Sequence, residues 1–203
     1  MYDRVVIDTI LDAGLVCHLG FVQDGQPFVI PTLYARIGDR VYVHGSAASR
    51  ALRIITEPID ACLAVTLLDG IVLARSVFEH SVNYRSVVIL GRARRTEGTR
   101  EKLAALEAFA EKLVPGRWEE VRHPSPKELR ATAILSVPIE EASAKVRTGP
   151  PDDGRGPDGA LDVWAGVIPA EMRFLDPVAD PALRSGIPVP PSVRRFVSGR
   201  RTR

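Results

Sequence analysis

The sequence lacks the features that mark several special classes of protein. Its 203 residues include two cysteines, Cys17 and Cys62, and neither belongs to a CxxC motif or a Cys/His cluster. A disulfide scaffold and a zinc site are therefore disfavoured, and we expect two buried free thiols in a reducing cytoplasm. No run of about 18 apolar residues is present, so we expect no membrane-spanning segment and no membrane partner. The first residues also lack the charged, apolar and small-residue succession of a secretory signal.

The fingerprints of several common enzyme folds are missing as well. No GxGxxG turn, P-loop or GxSxG elbow occurs in the sequence, and strands do not alternate with helices as a Rossmann domain requires. The four histidines, His18, His44, His80 and His123, show neither HxH nor HxxxH spacing, which disfavours a metal site. His18 lies in an apolar run, and we expect it to be a hydrogen-bonded core residue.

Charge is nearly balanced over the whole chain but not along it. Lys and Arg number 27 against 25 Asp and Glu, yet no acid follows Asp180 while six arginines do. Such a tail could bind nucleic acid in a salt-dependent way. A solvated, poorly ordered terminus is the simpler interpretation, so we expect no nucleic-acid partner.

Hydrophobic periodicity predicts an antiparallel β protein with flanking helices. Helical spacing occurs at 3–13 and 99–114, and a third helix is expected from an N-cap at Ser46 to about Pro58. Strand-like runs lie at 15–22, 28–37, 40–44, 61–68, 71–76, 86–95, 131–137 and 139–146. Asp-Gly pairs at 24–25 and 69–70 indicate turns, and Pro31 is expected to interrupt its strand. Short connections between strands favour a closed or nearly closed β-barrel in an α+β fold.

Chain length and composition predict one folded domain. At 203 residues a second full domain would be cramped. From about residue 148 the chain is rich in Pro, Gly and Asp, and we expect it to wrap on the barrel or on a partner chain. We place the domain at residues 1–170 and a Pro- and Arg-rich extension without a fold of its own at 171–203.

The first of three candidate ligand-binding segments begins at His44 and Gly45. It continues through Ser46 and Ser49 to Arg50, at the start of the third predicted helix. Hydroxyl and backbone N–H groups at a helix start, together with a guanidinium group, suit a phosphate. An ordinary serine-capped helix with a surface arginine explains the same residues, and both interpretations stay open.

The second segment is an unusually polar connection between two apolar strands. Its polar members are Arg75, Ser76, His80, Ser81, Asn83, Tyr84, Arg85 and Ser86. Amide, hydroxyl and guanidinium groups at strand ends suit a polar ring edge or a sugar-phosphate chain. A solvated loop is the alternative interpretation.

The third segment contains Lys145 and Arg147, which alternate along an extended run and so share one face. Two cations on one face repel each other unless an anion lies between them. An exposed edge strand that uses charge to block aggregation would show the same pattern.

A series of short motifs links these segments. In chain order they are HLGF at 18–21, GQP at 25–27, IPT at 30–32, YVHGS at 42–46, SR at 49–50, DGIVLARS at 69–76, HS at 80–81, NYRSV at 83–87, PGRW at 115–118, Ser143 with KVRTG at 145–149, and WAGV at 164–167. This series resembles the flavin-nucleotide-binding branch of the pyridoxamine 5′-phosphate oxidase-like superfamily, which is related to the nitroimidazole-resistance proteins. The resemblance covers about residues 10–170.

The resemblance implies an antiparallel, Greek-key-like split β-barrel homodimer that holds FMN at the subunit interface. Ile30, Pro31 and Thr32 would follow the pyrimidine edge of the flavin ring. The phosphate would be bound at Ser46, Ser49 and Arg50, next to His44 and Gly45. The remaining expected cofactor-binding residues are Ser76, Asn83, Tyr84, Arg85, Ser86, Lys145, Arg147 and Trp164. Ser86 stands where the oxidases carry glutamine, so its hydrogen bond to the flavin would be shorter or water-mediated.

The resemblance implies an FMN-dependent oxidoreductase that acts on a small conjugated molecule, with the redox chemistry carried by the flavin. We assign no catalytic residue. A flavin carrier or sensor without turnover is the alternative, as is a relative that uses F420 or haem instead. Oxidation of pyridoxamine phosphate itself is a weaker hypothesis, because the C-terminal substrate-binding motif of the true oxidases is not apparent.

Overall fold

The computed structural model describes residues 1–46 and 57–199. The described helices are α1 (Arg4–Ala13), α2 (Thr99–Leu113), α3 (Pro126–Ala131) and α4 (Pro191–Gly199). The described strands are β1 (Val16–Gln23), β2 (Gln26–Ile37), β3 (Arg40–Ser46), β4 (Ile59–Leu73), β5 (Ser81–Arg95), β6 (Thr132–Pro138), β7 (Glu141–Arg147) and β8 (Gly166–Pro169). Helices beside a mostly antiparallel sheet confirm the predicted α+β class. The helix predicted to follow Ser46 lies outside the described residues.

The chain forms two compact units, the first of which consists of residues 1–31, 60–91 and 139–171. In this unit β4 pairs with β1 and with β8, while β5 pairs with β7, all antiparallel. Helix α1 buries Ile7, Ile10 and Leu11 and packs near β7. Its start is capped by Asp3, whose carboxylate accepts the N–H of Val5 at 2.8 Å.

The second unit consists of residues 32–59, 92–138 and 172–203. Here β3 lies between β2 and β6, and the end of β5 pairs with β6. Helix α2 covers this sheet because its buried Ala105 and Phe109 pack on Ala35, Tyr42 and Ile134. The helical spacing of apolar residues by which the sequence predicts α2 also places them on the face that contacts the sheet.

The largest correction concerns the Asp-Gly pair at 69–70, which is not a turn. Strand β4 runs unbroken through it, and the buried positions change from odd numbers up to Val65 to even numbers from Gly70. One extra residue in the strand, as in a β-bulge, produces such a change. A Cβ on Gly70 would lie 2.9 Å from the carbonyl oxygen of Ile168, so glycine is required there by the close approach of β8 rather than by a turn.

Other boundaries also differ from the predictions. Strand β5 begins at Ser81, so the polar connection is mostly strand, and β2 continues through Pro31. Helix α3 was missed because it has only six residues; a reciprocal capping box between Ser125 and Glu128 stabilises its start. Helix α4 forms within the tail that we expected to be poorly ordered. No helix among the described residues has both the length and the apolar character needed to cross a bilayer.

Two expectations about single residues were wrong. His18 is exposed on β1, because Cys17 and Leu19 take the inward positions of that strand. Cys62 is partly exposed because successive side chains of a strand point to opposite faces, whereas Cys17 is buried as expected. Neither cysteine forms a disulfide.

Candidate functional site

A cationic strip on the paired strands β5 and β7 forms the centre of the candidate site in the first unit. Tyr84 is directly opposite Arg147, and Ser86 is directly opposite Lys145, so these four side chains share one face of the sheet. The ammonium group of Lys145 lies 5.7 Å from the centre of the Tyr84 ring. Within the described residues neither cation of the strip has a carboxylate partner. The strip therefore offers two positive charges and hydroxyl groups to an anionic ligand.

Asn83 fixes the position of one end of the strip. Its side chain is buried, its Oδ1 accepts a hydrogen bond from Nη1 of Arg147 at 2.6 Å, and its Nδ2 donates to the carbonyl oxygen of Gly149 at 3.1 Å. Both ends of the amide are therefore used inside the protein. Asn83 accordingly orients Arg147, and its expected contact with a cofactor stays a prediction.

Arg85 forms a bidentate ion pair with Asp69 of β4. Its Nε and Nη2 donate to the two carboxylate oxygens at 2.8 and 2.7 Å. The hydrogen bonds from Arg85 lower the pKa of Asp69 although burial opposes this, and the same bonds raise the pKa of Arg85. Sequence reasoning missed this pair because it placed Asp69 in a turn.

A buried carboxylate, Asp153, holds the segment that leads from β4 to β5. The side chain of Asp153 is only 2% exposed and accepts hydrogen bonds from the backbone N–H groups of Arg75 and Ser76 and from Nη1 of Arg75. Burial favours protonation of this carboxyl, but these hydrogen bonds and the charge of Arg75 outweigh it and keep its pKa below the ordinary value. The Gly- and Asp-rich composition of residues 152–159 predicts a loop but gives no sign that Asp153 is buried and holds another segment.

His80 lies at the end of that segment, where a hydrogen bond selects one tautomer of its neutral imidazole ring. Its Nδ1 accepts the N–H of Ala74 at 3.2 Å, so the neutral ring carries its proton on Nε2. That N–H is available as a donor because the residue is exposed. Nearby in the chain, Phe78 is 90% exposed in a short 3₁₀ turn.

The first unit also contains three of the residues expected along the flavin ring. Ile30 is half-buried and Pro31 is exposed, on opposite sides of β2, and Trp164 is largely exposed just before β8. The expectation that these residues contact a cofactor remains a prediction.

The remaining predicted residues that the structure describes lie in the second unit. Thr32 is in β2, while His44, Gly45 and Ser46 end β3. The ring of His44 stacks on Phe109 with 4.4 Å between centroids, and its Nδ1 is buried without a hydrogen-bond partner. Burial lowers the pKa of His44. Ser49 and Arg50, the expected phosphate ligands, lie outside the described residues.

The residues that the structure describes suit the binding of an anionic organic cofactor better than the binding of a metal ion. In the ranges 1–46 and 57–199, no group of three or more His, Cys, Asp or Glu side chains could hold a metal ion. The strip, in contrast, contains two cations with no acidic partner among the described residues, next to a positioned amide and a tyrosine ring. A phosphate-bearing ligand supplies the negative charge that this arrangement lacks.

Comparisons with known proteins identify the family of the chain. The family model for pyridoxamine 5′-phosphate oxidase matches residues 3–146. The flavocytochrome Anf3 from Azotobacter vinelandii is 44% identical, with 96% of this chain and 90% of that chain covered and a TM-score of 0.89. A FAD- and haem-binding protein from Mycobacterium smegmatis is 37% identical, with 96% and 95% covered and a TM-score of 0.90.

A more distant structure shares the fold. It is described as a candidate 5-nitroimidazole antibiotic resistance protein from Bacteroides thetaiotaomicron, and it is 19% identical over 71% of this chain and 84% of its own, with a TM-score of 0.59. No curated protein matches the chain. The family match spans most of the chain and confirms the resemblance seen in the motifs. The chain belongs to the pyridoxamine 5′-phosphate oxidase family.

Proposed function

We propose that this protein is a flavin-binding redox protein that also binds haem. The observation that carries the proposal is its 44% and 37% identity, over 96% of its length, to two proteins described as a flavocytochrome and as a FAD- and haem-binding protein. Identity of this extent over nearly the whole chain supports a shared cofactor set. The bound flavin and haem would supply the electron-transfer chemistry, and the protein would position them and tune their electronic properties.

The cationic strip is the proposed site for the negatively charged part of the flavin. Lys145 and Arg147 would neutralise phosphate charge, with Arg147 held in place by Asn83. In the same unit, the backbone of β2 beside Ile30 would offer donors and acceptors to an edge of the flavin ring. His80 would donate its Nε2 proton to a flavin heteroatom or to a phosphate oxygen.

We propose FAD rather than FMN as the flavin. The sequence motifs imply FMN, but the relative with 37% identity is described as binding FAD.

The proposed activity is transfer of electrons to or from a small conjugated molecule, and a carrier without turnover is the alternative. The two cysteines, which form no disulfide, support a reducing cytoplasm as the place of action.

A second copy of the chain would complete the site. Val88 and Leu90 extend the face of the cationic strip along β5 and are both exposed, as is Phe78. Exposed apolar side chains next to a polar site are typical of a surface that another chain covers. We therefore propose a homodimer with the flavin at its interface, which light scattering after size-exclusion chromatography tests directly.

The central experiment is identification of the cofactors of the purified protein. Heat or acid releases non-covalent flavin for chromatography and mass spectrometry, and the absorption spectrum reports haem. FAD together with haem is the expected result; FMN alone would overturn the choice of flavin, and absence of any flavin after reconstitution would overturn the proposed function.

Variants of the strip test the location of the flavin. Lys145→Ala and Arg147→Ala should each weaken flavin binding about 10- to 100-fold, since a charge-assisted hydrogen bond contributes roughly 1.5–3 kcal/mol. Lys127→Ala removes an exposed cation from α3 in the other unit and is the matched control. Equal affinity in all three variants would place the flavin elsewhere.

A further inference from the structure

We propose that His18 is the residue through which the protein ligates haem iron, on an apolar patch of the sheet surface in the first unit. The inference rests on the proposed binding of haem and adds the site. The patch consists of His18 and its outward-facing neighbours Val16, Gly20, Val29, Pro31 and Ala64, and is called the His18 face below.

Strand pairing places these residues together. His18 is directly opposite Ala64 on β4, and Gly20 is opposite Cys62. On the other side, β1 pairs with β2 through a two-residue turn at Asp24 and Gly25. That turn pairs residue 23 with 26, so Gly20 faces Val29 and His18 faces Pro31.

The side-chain direction on these strands is fixed by what lies beneath. Phe21 and Phe28 stack on the inner side with 5.4 Å between ring centroids, and Cys17 and Leu19 are buried. Because side chains alternate along a strand, the residues of the His18 face must point outward. Val16 and Val29 are accordingly 52% and 67% exposed.

The chemistry of the His18 face is unusual for an exposed sheet surface. The outer side of an antiparallel sheet normally carries polar residues, yet no charged side chain directly adjoins His18 along its strand or on the opposite positions of β2 and β4. Gly20 and Ala64 add little bulk beside the imidazole. A histidine alone on an open apolar surface matches what a haem needs: one nitrogen ligand surrounded by groups that pack against a flat, apolar macrocycle.

The other histidines are less suited to this role. His80 accepts a hydrogen bond on Nδ1 and carries its proton on Nε2, which is the reverse of the tautomer that an Nε2 iron ligand needs. His44 stacks on Phe109 with Nδ1 enclosed by protein, and His123 stacks on Trp118 with 4.4 Å between centroids. His18 makes no hydrogen bond within the described part of the chain, so either ring nitrogen is free to bind iron while the other keeps its proton.

The test compares haem binding by the full chain and by His18 variants. Wild type reconstituted with haemin should show the Soret band and EPR signal of histidine-ligated haem. His18→Ala should lose at least about 100-fold in haem affinity, more than the loss caused by removing an outer-shell partner of a metal ligand. Added imidazole should restore the wild-type spectrum. His123→Ala is the matched control and should bind haem as wild type does.

Two further variants keep the test informative if His18→Ala is poorly folded. His18→Met should retain haem but change its ligand spectrum and raise its reduction potential, as methionine ligation does in cytochromes. Val16→Glu should weaken haem retention without changing the spectrum of the haem that remains, whereas Val22→Glu, on the same side of β1 but two positions beyond Gly20, should have little effect.

The outcomes separate this inference from the proposed function. Haem binding with an unchanged spectrum in both His18 variants, or loss of the Soret band in His44→Ala or His80→Ala but not in His18→Ala, would overturn the inference and leave haem binding intact. Failure of the wild type to bind haem, with flavin bound normally, would overturn the haem part of the proposed function and this inference together.

Discussion

At the scale of single residues, several side chains have ionisation states that the fold imposes. His44 is the clearest case because it is half-buried against Phe109, and burial lowers its pKa. The neutral ring is therefore the form that the native structure favours. Sequence motifs identified His44 as a candidate, but the cause of its altered ionisation is visible only when Phe109 is in place.

We predict that protonation of His44 destabilises the second unit. A histidine whose native pKa lies below its unfolded value contributes stability above the unfolded pKa of about 6.5, and that contribution is lost as the pH falls toward the native value. Urea unfolding of wild type and His44→Gln across this interval measures the effect. The variant should show a flatter pH dependence than wild type, and parallel curves would contradict the prediction.

Asp153 has the opposite character, because its environment favours the charged form. It accepts hydrogen bonds from two consecutive backbone N–H groups and from Arg75. Asp153→Asn removes the charge and leaves fewer acceptor sites for these donors, so we predict lower thermal stability and weaker flavin retention. The neighbouring Asp152 is exposed, and Asp152→Asn is the matched control. Circular dichroism melting and flavin content measure both effects; equal behaviour of the two variants would contradict the assigned role.

At the scale of elements, β4 shows how a local signal can mislead. Asp-Gly is a frequent turn sequence, yet here both residues continue a strand of 15 residues. The partner strand β8 decides this, because its backbone approaches Gly70 closely and pairs with residues 70–73. Strand β8 is distant in sequence and too short to predict, so the turn interpretation could not be excluded in advance.

Gly70→Ala tests this explanation. The added methyl group would lie 2.9 Å from the carbonyl oxygen of Ile168, and backbone must move to accommodate it. We predict a loss of about 1–3 kcal/mol in unfolding free energy, the usual cost of overpacking. Gly20→Ala is the control within β1, because its nearest contact would be an ordinary 3.5 Å. Denaturant unfolding measures both, and equal stability of the two variants would contradict the close approach of β8.

At the scale of the whole molecule, the net charge is close to zero, yet both units contain carboxylates that are held by hydrogen bonds. Hydrogen bonds from Arg85 lower the pKa of Asp69 in the first unit, and hydrogen bonds from Ser192 lower that of Glu120 in the second. The latter carboxylate also holds the start of α4, through the Ser192 hydroxyl and through its N–H at 3.0 Å. Acid therefore removes favourable interactions from both units.

We predict that the protein loses stability in acid and not at mildly alkaline pH. Each carboxyl with a lowered native pKa contributes stability above its unfolded pKa of about 4, and loses it as the pH falls through the native value. Urea midpoints measured against pH should fall steeply below about pH 4, and Asp69→Asn should show a smaller fall. An Asp69→Asn curve with the wild-type slope would contradict the role of this pair.

Sequence alone determined the class of fold, the family and the rough position of most strands and of α2. These follow from periodic apolar residues and local motifs, which act over a few residues and do not depend on distant partners. It also identified the residues of the cationic strip, although not that Asn83 orients one of them.

Only the tertiary structure decided which polar groups pair and which surfaces remain open. The pairs Arg85–Asp69 and Arg75–Asp153 join residues 16 and 78 positions apart, and no local pattern specifies such partners. The exposure of His18 likewise depends on which side of β1 the rings of Phe21 and Phe28 occupy. An alternating strand presents two faces, and long-range packing against other elements decides which of them is buried.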